Sequence, residues 1–379
     1  MSPRRLLQDQ LTAWFMRRTA PSGVRRVSSL SAAVASEVGI VRTENQDRVA
    51  IARSRDHVGR PFTLAAVADG IGGMQDGALC AAMTLGHLFG TIVEEARTNA
   101  ISQHSLLRCV NQANAAVHAK YRGEGGSTLV AVLVAGDGSV HWASVGDSRV
   151  YHASASKLTR LSIDDTIAGQ LGKDREVSLD QSKLLQFIGI GAPIEPGIGQ
   201  LDASATGQML LTSDGVHFLD TTPWFAAIVG NAPDPGLCVR RLTDLSKSCG
   251  GPDNASAALI GLDVGFFEPV SMPDMSLEIW DPFGDLQVIL DIPLATPVAE
   301  KLPRTPTVSN DLLTPPTQAE QTLTAPPVAA SKVQRKPKKA RVQKKAKQSG
   351  GKIQEPRENR AADKDEAPQL LMEFPNKTR

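Results

Sequence analysis

TLAAVADGIGG (residues 63–73) sets an apolar run of strand length, Thr63–Ala68, directly before Asp69, with glycines at 70, 72 and 73. The strand fixes the carboxylate, and the glycines let backbone oxygens or waters approach it. The pattern recurs outward along the chain. Asp214 ends LLTSDG (210–215), Asp147 follows a run in SVGDSR (144–149), Asp253 opens DNASAALIGL (253–262), and Asp47 precedes the run at 48–52. One Asp-Gly pair is more often a turn than a ligand. Five acids at strand ends offer oxygen almost exclusively, which suits hard divalent cations. Spacing alone leaves both readings open. Asp165, Asp202 and Asp220 lack the strand-then-glycine context and read as surface residues.

Seven short β-rich runs surround these acids: 48–52, 63–68, 127–134, 140–145, 149–152, 208–211 and 257–262. Helical spacing of apolar residues covers 76–97 and 105–120, and a third helix is expected over 235–248. Strands in two groups with long helices between them argue for α+β, two sheets with helices packed outside.

Composition bounds the rest. With 41% hydrophobic residues and 32 glycines in 379 residues, the chain suits a globular fold, and a net charge of +1 gives no global reason to expect nucleic acid. The average conceals an asymmetry: residues 332–352 carry ten Lys or Arg and no acid, leaving −9 for the remainder. The lysine run could contact nucleic acid, anionic lipid or an acidic protein, with plain linker as the default. Cys80, Cys109, Cys238 and Cys249 show no metal-binding spacing and read as free thiols in a reducing compartment. The basic N-terminus lacks the apolar core of a signal peptide, and no run approaches the roughly 18 apolar residues of a membrane span. A cytoplasmic location is expected.

Four regions follow. Residues 1–30 read as an arm with a short helix near 6–16, residues 31–265 as the central domain, and residues 266–300 as an appended hairpin or docking peptide around the DPFGD turn (281–285). Residues 301–379, rich in proline and then lysine, cannot bury enough apolar surface to offset ordering and read as a disordered tail.

GIVRTENQD (39–47), ADGIGG (68–73), GGSTLVAVLV (125–134), ASVGDSRVY (143–151), LTSDGV (211–216) and DNASAALI (253–260) resemble, in order, the successive motifs of type 2C protein serine/threonine phosphatases, the bacterial branch most closely. That resemblance implies a four-layer αββα sandwich of two antiparallel sheets. It implies hydrolysis of phosphoserine and phosphothreonine in proteins by a hydroxide bridging two Mn²⁺ or Mg²⁺ ions, opposing a Ser/Thr kinase. Asp69 would bridge the ions, the Gly70 carbonyl would bind one, and Asp214 and Asp253 would complete the other. Asp47 would order bound water, Asp147 would contribute to a third ion, and Arg42 would hold the phosphoryl oxygens with a fork that Lys lacks. The implied partner is a phosphoprotein, a kinase or its targets. Gln46 stands where many members have Glu, which implies a weaker but working second ion site, and Phe218 stands where some have a further acid, which puts the third ion in doubt. Residues 163–193 fall where the family has its variable flap. His217, three residues beyond Asp214, is placed to act as an acid on the leaving oxygen.

Overall fold

The computed structural model describes residues 3–154, 157–172, 183–191, 193–202, 204–262 and 276–289. One compact unit spans Met1–Glu300, and the second, Lys301–Arg379, lies outside the described residues, as does the expectation of a disordered tail.

Thirteen strands form two antiparallel sheets among the described residues. The six-stranded sheet runs β1 (Ser22–Val27), β2 (Ala32–Glu37), β11 (Ala255–Gly261), β10 (Gln208–Thr212), β7 (Arg149–Ser154), β8 (Lys157–Arg160). The seven-stranded sheet runs β13 (Gly284–Ile289), β12 (Ser276–Asp281), β3 (Arg48–Arg55), β4 (Pro61–Ala68), β5 (Leu129–Val134), β6 (Val140–Val145), β9 (Gly197–Leu201). Helices α1 (Pro3–Phe15), α2 (Gly77–Ala96) and α3 (Gln103–Tyr121) cover the second sheet. The first is covered by α5 (Asp214–His217), α6 (Pro223–Asn231) and α7 (Pro235–Ser248), and a one-turn α4 (Ile167–Gln170) opens the flap.

Strand alternation builds the layers. On β5, Leu129, Ala131 and Leu133 face the helices while Val130, Val132 and Val134 face the other sheet. On β11, Ala258 and Ile260 face between the sheets, and Ala257 and Leu259 face α7. Because both faces of the central strands are covered, their sequences read as continuous apolar runs, and period-two alternation is visible only in what each residue touches. The result is the αββα sandwich.

Two expectations need correction. Residues 1–30 are not a separate arm. Leu11 and Phe15 of α1 are almost fully buried, Phe15 stacks on Phe89 with ring centres 6.0 Å apart, and β1 pairs with β2. Gly86 and Gly90 on α2 allow that approach: a Cβ at 86 would stand 2.5 Å from Thr12 Oγ1, and one at 90 would stand 2.6 Å from Gln8 Cγ. Helix α2, at 20 residues, is also long and apolar enough by composition to cross a membrane, although 78% of its most apolar window is buried between α1, α3 and the sheet. Within the segment expected to be a hairpin or docking peptide, residues 276–289 form the hairpin β12–β13, with β12 paired to β3, and the rest of that segment lies outside the described residues.

Candidate metal centre

The strand ends bring the acids to one end of the sandwich. Asp69 leaves β4, its N–H donating to Thr128 Oγ1 at 3.1 Å while its carbonyl accepts from the Thr128 N–H at 2.8 Å. Thr128 Oγ1 also shares a hydrogen bond with Ser148 Oγ, which ties the VGDSR turn to the same clip. Asp214 is the first residue of α5, and Ser213 before it donates to Asp47 Oδ2 at 2.8 Å. At Gly70 a Cβ would collide with the Gly77 carbonyl, and at Gly215 with that of Asn254, so no side chain fits at either turn.

A cavity of about 270 Å³ is lined by Arg42, Gln46, Asp69, Gly70, Ile71, Gly72, Thr128, Asp147, Leu184, Asp214, Asp253 and Asn254. Six of the seven positions expected from sequence therefore meet there, and the seventh, Asp47, is buried outside the lining, where it accepts from Ser213 Oγ. Leu184 brings the flap to the rim through a bridge between Thr166 and Leu184. The LLQFIGIG stretch (184–191) is described in this way, whereas residues 173–182 of the flap lie outside the described residues.

Electrostatically the site is unfinished by protein alone. Burial, then repulsion from Asp47 and Asp214, pushes Asp69 well above the usual carboxylate range. Asp214 is pushed up to about 8 by burial, then by Asp147 and Asp253. Burial dominates the rise of Asp47 to about 6, and of Asp147 to about 6 with Asp164 as its nearest repelling neighbour. Asp47 Oδ1 and Asp214 Oδ1 are buried without a hydrogen-bond partner, an expensive condition for a carboxylate oxygen. Oxygen donors that repel one another and lack partners fit divalent cations. Among the described residues no three acidic side chains close around a single point as a finished cage; the carboxylates line the wall of an open cavity instead. Arg42 reaches over Gly72, and its Nη2 pairs with Asp253 Oδ2 at 2.7 Å. With its side chain nearly half exposed, it can turn toward an incoming anion.

Several further residues matter here that the sequence did not single out as ligands. Asn254 donates from Nδ2 to the Val38 and Glu44 carbonyls and accepts the Gln46 N–H on Oδ1, so it holds the loop that carries Arg42 and Asp47. Asp165 and Asp220, expected at the surface, are structural. Asp165 Oδ2 accepts from the Gly146 N–H, and its Oδ1 accepts from Gln186 Nε2, clamping the flap to the VGDSR turn. Asp220 pairs with Arg149 at 2.6 Å, and Arg149 also pairs with Asp164 at 2.6 Å. His217 is buried, shares a hydrogen bond through Nδ1 with Thr212 Oγ1, and is held neutral by burial and then by Arg149 and Arg160. That environment disfavours the proton-donor role its spacing suggested.

Comparison with known proteins agrees with the geometry. The serine/threonine protein phosphatase PstP of Mycobacterium tuberculosis is 30% identical over 256 residues, covering 63% of this chain. The chain spans about half, 46%, of that relative's length. Among solved structures, the Ser-Thr phosphatase MsPP of Mycobacterium smegmatis, crystallised with cacodylate, matches with a TM-score of 0.50 and 29% identity over 61% of this chain and 98% of its own. The catalytic domain of PstP, solved with two manganese ions, matches with a TM-score of 0.50 and 25% identity over 63% of this chain and 98% of its own. The family model for protein phosphatase 2C matches residues 41–231, the segment that carries Arg42, Asp47, Asp69, Asp147 and Asp214. On that match, which takes in half of the sequence, this chain belongs to the protein phosphatase 2C family.

Proposed function

We propose that the protein hydrolyses phosphoserine and phosphothreonine in other proteins with the help of two Mn²⁺ or Mg²⁺ ions. The observation that carries this reading is the meeting of buried, mutually repelling carboxylates at one cavity with a half-exposed arginine at its mouth. The manganese ions of the PstP catalytic domain support the choice of metal. Asp69, the Gly70 carbonyl, Asp214 and Asp253 would hold the ions, and Asp147 would serve a third, weaker position. When bound, the ions supply positive charge against the phosphoryl oxygens and acidify water for attack on phosphorus. Asp47, fixed by Ser213, accepts hydrogen bonds from water and orients it. Arg42 exchanges its pair with Asp253 for two phosphoryl oxygens, a bidentate contact that positions phosphorus in the cavity. Gln46, a neutral amide beside Gly77, leaves the second ion more weakly held than a carboxylate would.

The same reading makes a Ser/Thr kinase or its targets the substrate, places the protein in the cytoplasm, and gives the lysine run of the tail an acidic partner. Four free cysteines support the reducing setting. The test is phosphate release from p-nitrophenyl phosphate and a phosphothreonine peptide, with and without Mn²⁺, in wild type, Asp69→Ala and Asp214→Asn. Metal-dependent turnover absent from both variants supports the reading; equal rates in all three proteins overturn it.

A further inference from the structure

A second cavity, of about 360 Å³, shares Asp214 and Asp253 with the first and extends away from it along α5. Its remaining wall is Arg149, Gly215, His217, Phe218, Asp220, Thr221 and Pro252. Phe218 leaves α5 at its C-terminal end with 42% of its surface exposed, which leaves a ring face open on the cavity wall. The two charged side chains that belong to this cavity alone are spent on each other and on the flap base. Arg149 pairs with Asp220 and Asp164, and Asp220 also accepts from the Tyr151 hydroxyl at 2.9 Å. With Asp214 and Asp253 taken up by the ions of the proposed reading, a charged guest would find no free counter-charge there, while an apolar one would find a ring face and a proline.

We infer that this cavity is a specificity subsite that takes an apolar side chain adjacent to the phosphorylated residue, with Phe218 as its wall. This rests on the proposed phosphatase reading. Consecutive Cα atoms lie about 3.8 Å apart, so a peptide whose phosphoryl group sits among Asp69, Asp214 and Asp253 can place a neighbouring residue over a cavity that shares two of those walls. A peptide of the form apolar-phosphothreonine or phosphothreonine-apolar matches the groove, and a charged neighbour loses its water without gaining a partner. Phe218 is a specificity residue here, acting on which peptide is accepted.

The experiment measures kcat/KM for phosphothreonine peptides in which the flanking residue, before or after, is Leu, Glu or Lys. It uses the full chain with Mn²⁺ in wild type, Phe218→Ala and Phe218→Leu, and p-nitrophenyl phosphate reports whether the wild type is active at all. Wild type is expected to favour Leu over both charged residues by about tenfold or more on one side, the range an apolar pocket delivers. Phe218→Ala is expected to bring that ratio to within about threefold, and Phe218→Leu to restore most of it. A wild type that hydrolyses p-nitrophenyl phosphate but treats Leu, Glu and Lys alike overturns the subsite and leaves the phosphatase reading standing. An unchanged ratio in Phe218→Ala also overturns it. A wild type inactive on every substrate overturns both.

Discussion

Asp214→Asn separates the cost of the acidic cluster from its use. In the folded chain the Asp214 carboxyl is pushed up to about 8 from its ordinary 3.8, by burial and then by Asp147 and Asp253. A carboxyl with a raised folded value holds its proton more tightly folded than unfolded. Its contribution to stability is therefore fully present below 3.8 and is lost as pH rises toward 8. By pH 7 that loss covers about three pH units at 1.36 kcal/mol each, or about 4 kcal/mol in protein stripped of divalent cation. Asparagine keeps the shape and cannot ionise. Chelator-treated Asp214→Asn is thus expected to melt above wild type near neutral pH, by about 10 °C for a domain of this size. The gap should narrow as the solution is made mildly acidic, because wild type regains its proton. Adding Mn²⁺ should raise the melting temperature of wild type and move the variant much less. Scanning calorimetry in chelator and in Mn²⁺, at two pH values, reads all of this. A variant that melts below wild type in chelator, or that gains as much from Mn²⁺, would refute the view of Asp214 as a repelled ligand awaiting a cation.

Two further outcomes follow from the same structure. Arg42→Lys retains the charge and loses the fork, so kcat/KM on a phosphothreonine peptide should fall by about 10–100-fold, while the melting temperature holds because the Arg42–Asp253 pair is solvent-exposed. Phe15→Ala should cost about 3–5 kcal/mol in urea unfolding, the loss expected of a buried ring and not of a dispensable arm.

Much of the site was legible because its chemistry demands particular residues at strand ends. Asp69, Asp147, Asp214 and Asp253 announce themselves by a carboxylate beside a glycine or a turn, and they do converge. The core strands were legible for a related reason: being covered on both faces, β5 is apolar throughout, and β4 and β11 each carry a single buried hydroxyl residue, Thr63 and Ser256. What escaped reading lies at edges and in clamps. Strand β1, SGVRRV, carries arginines because it is an edge strand with one side exposed, and those arginines hide a local pairing with β2 across residues 28–31. Helix α6 is short and partly exposed, so its periodicity is weak. Asn254, Thr128 and Ser213 act by hydrogen bonds to backbone or carboxylate, and an isolated Asn, Thr or Ser gives no sign of which distant loop it holds. Asp165 fails for the same reason: its partner, the Gly146 N–H, is 19 residues away.

The pairings β2–β11 and β3–β12 join strands from the first sixth of the chain to strands beyond residue 250 in both sheets. During synthesis neither sheet can be completed until those late strands leave the ribosome, and at about 5–20 residues per second the early strands wait roughly ten seconds or longer. Through that interval β2 and β3 each keep one edge unpaired, a form prone to pair with a neighbouring nascent chain. The last carboxylate, Asp253, arrives with β11 itself, so a prematurely terminated chain would lack the metal site and the sheet together. Assembly of the acidic cluster and closure of the six-stranded sheet are one event.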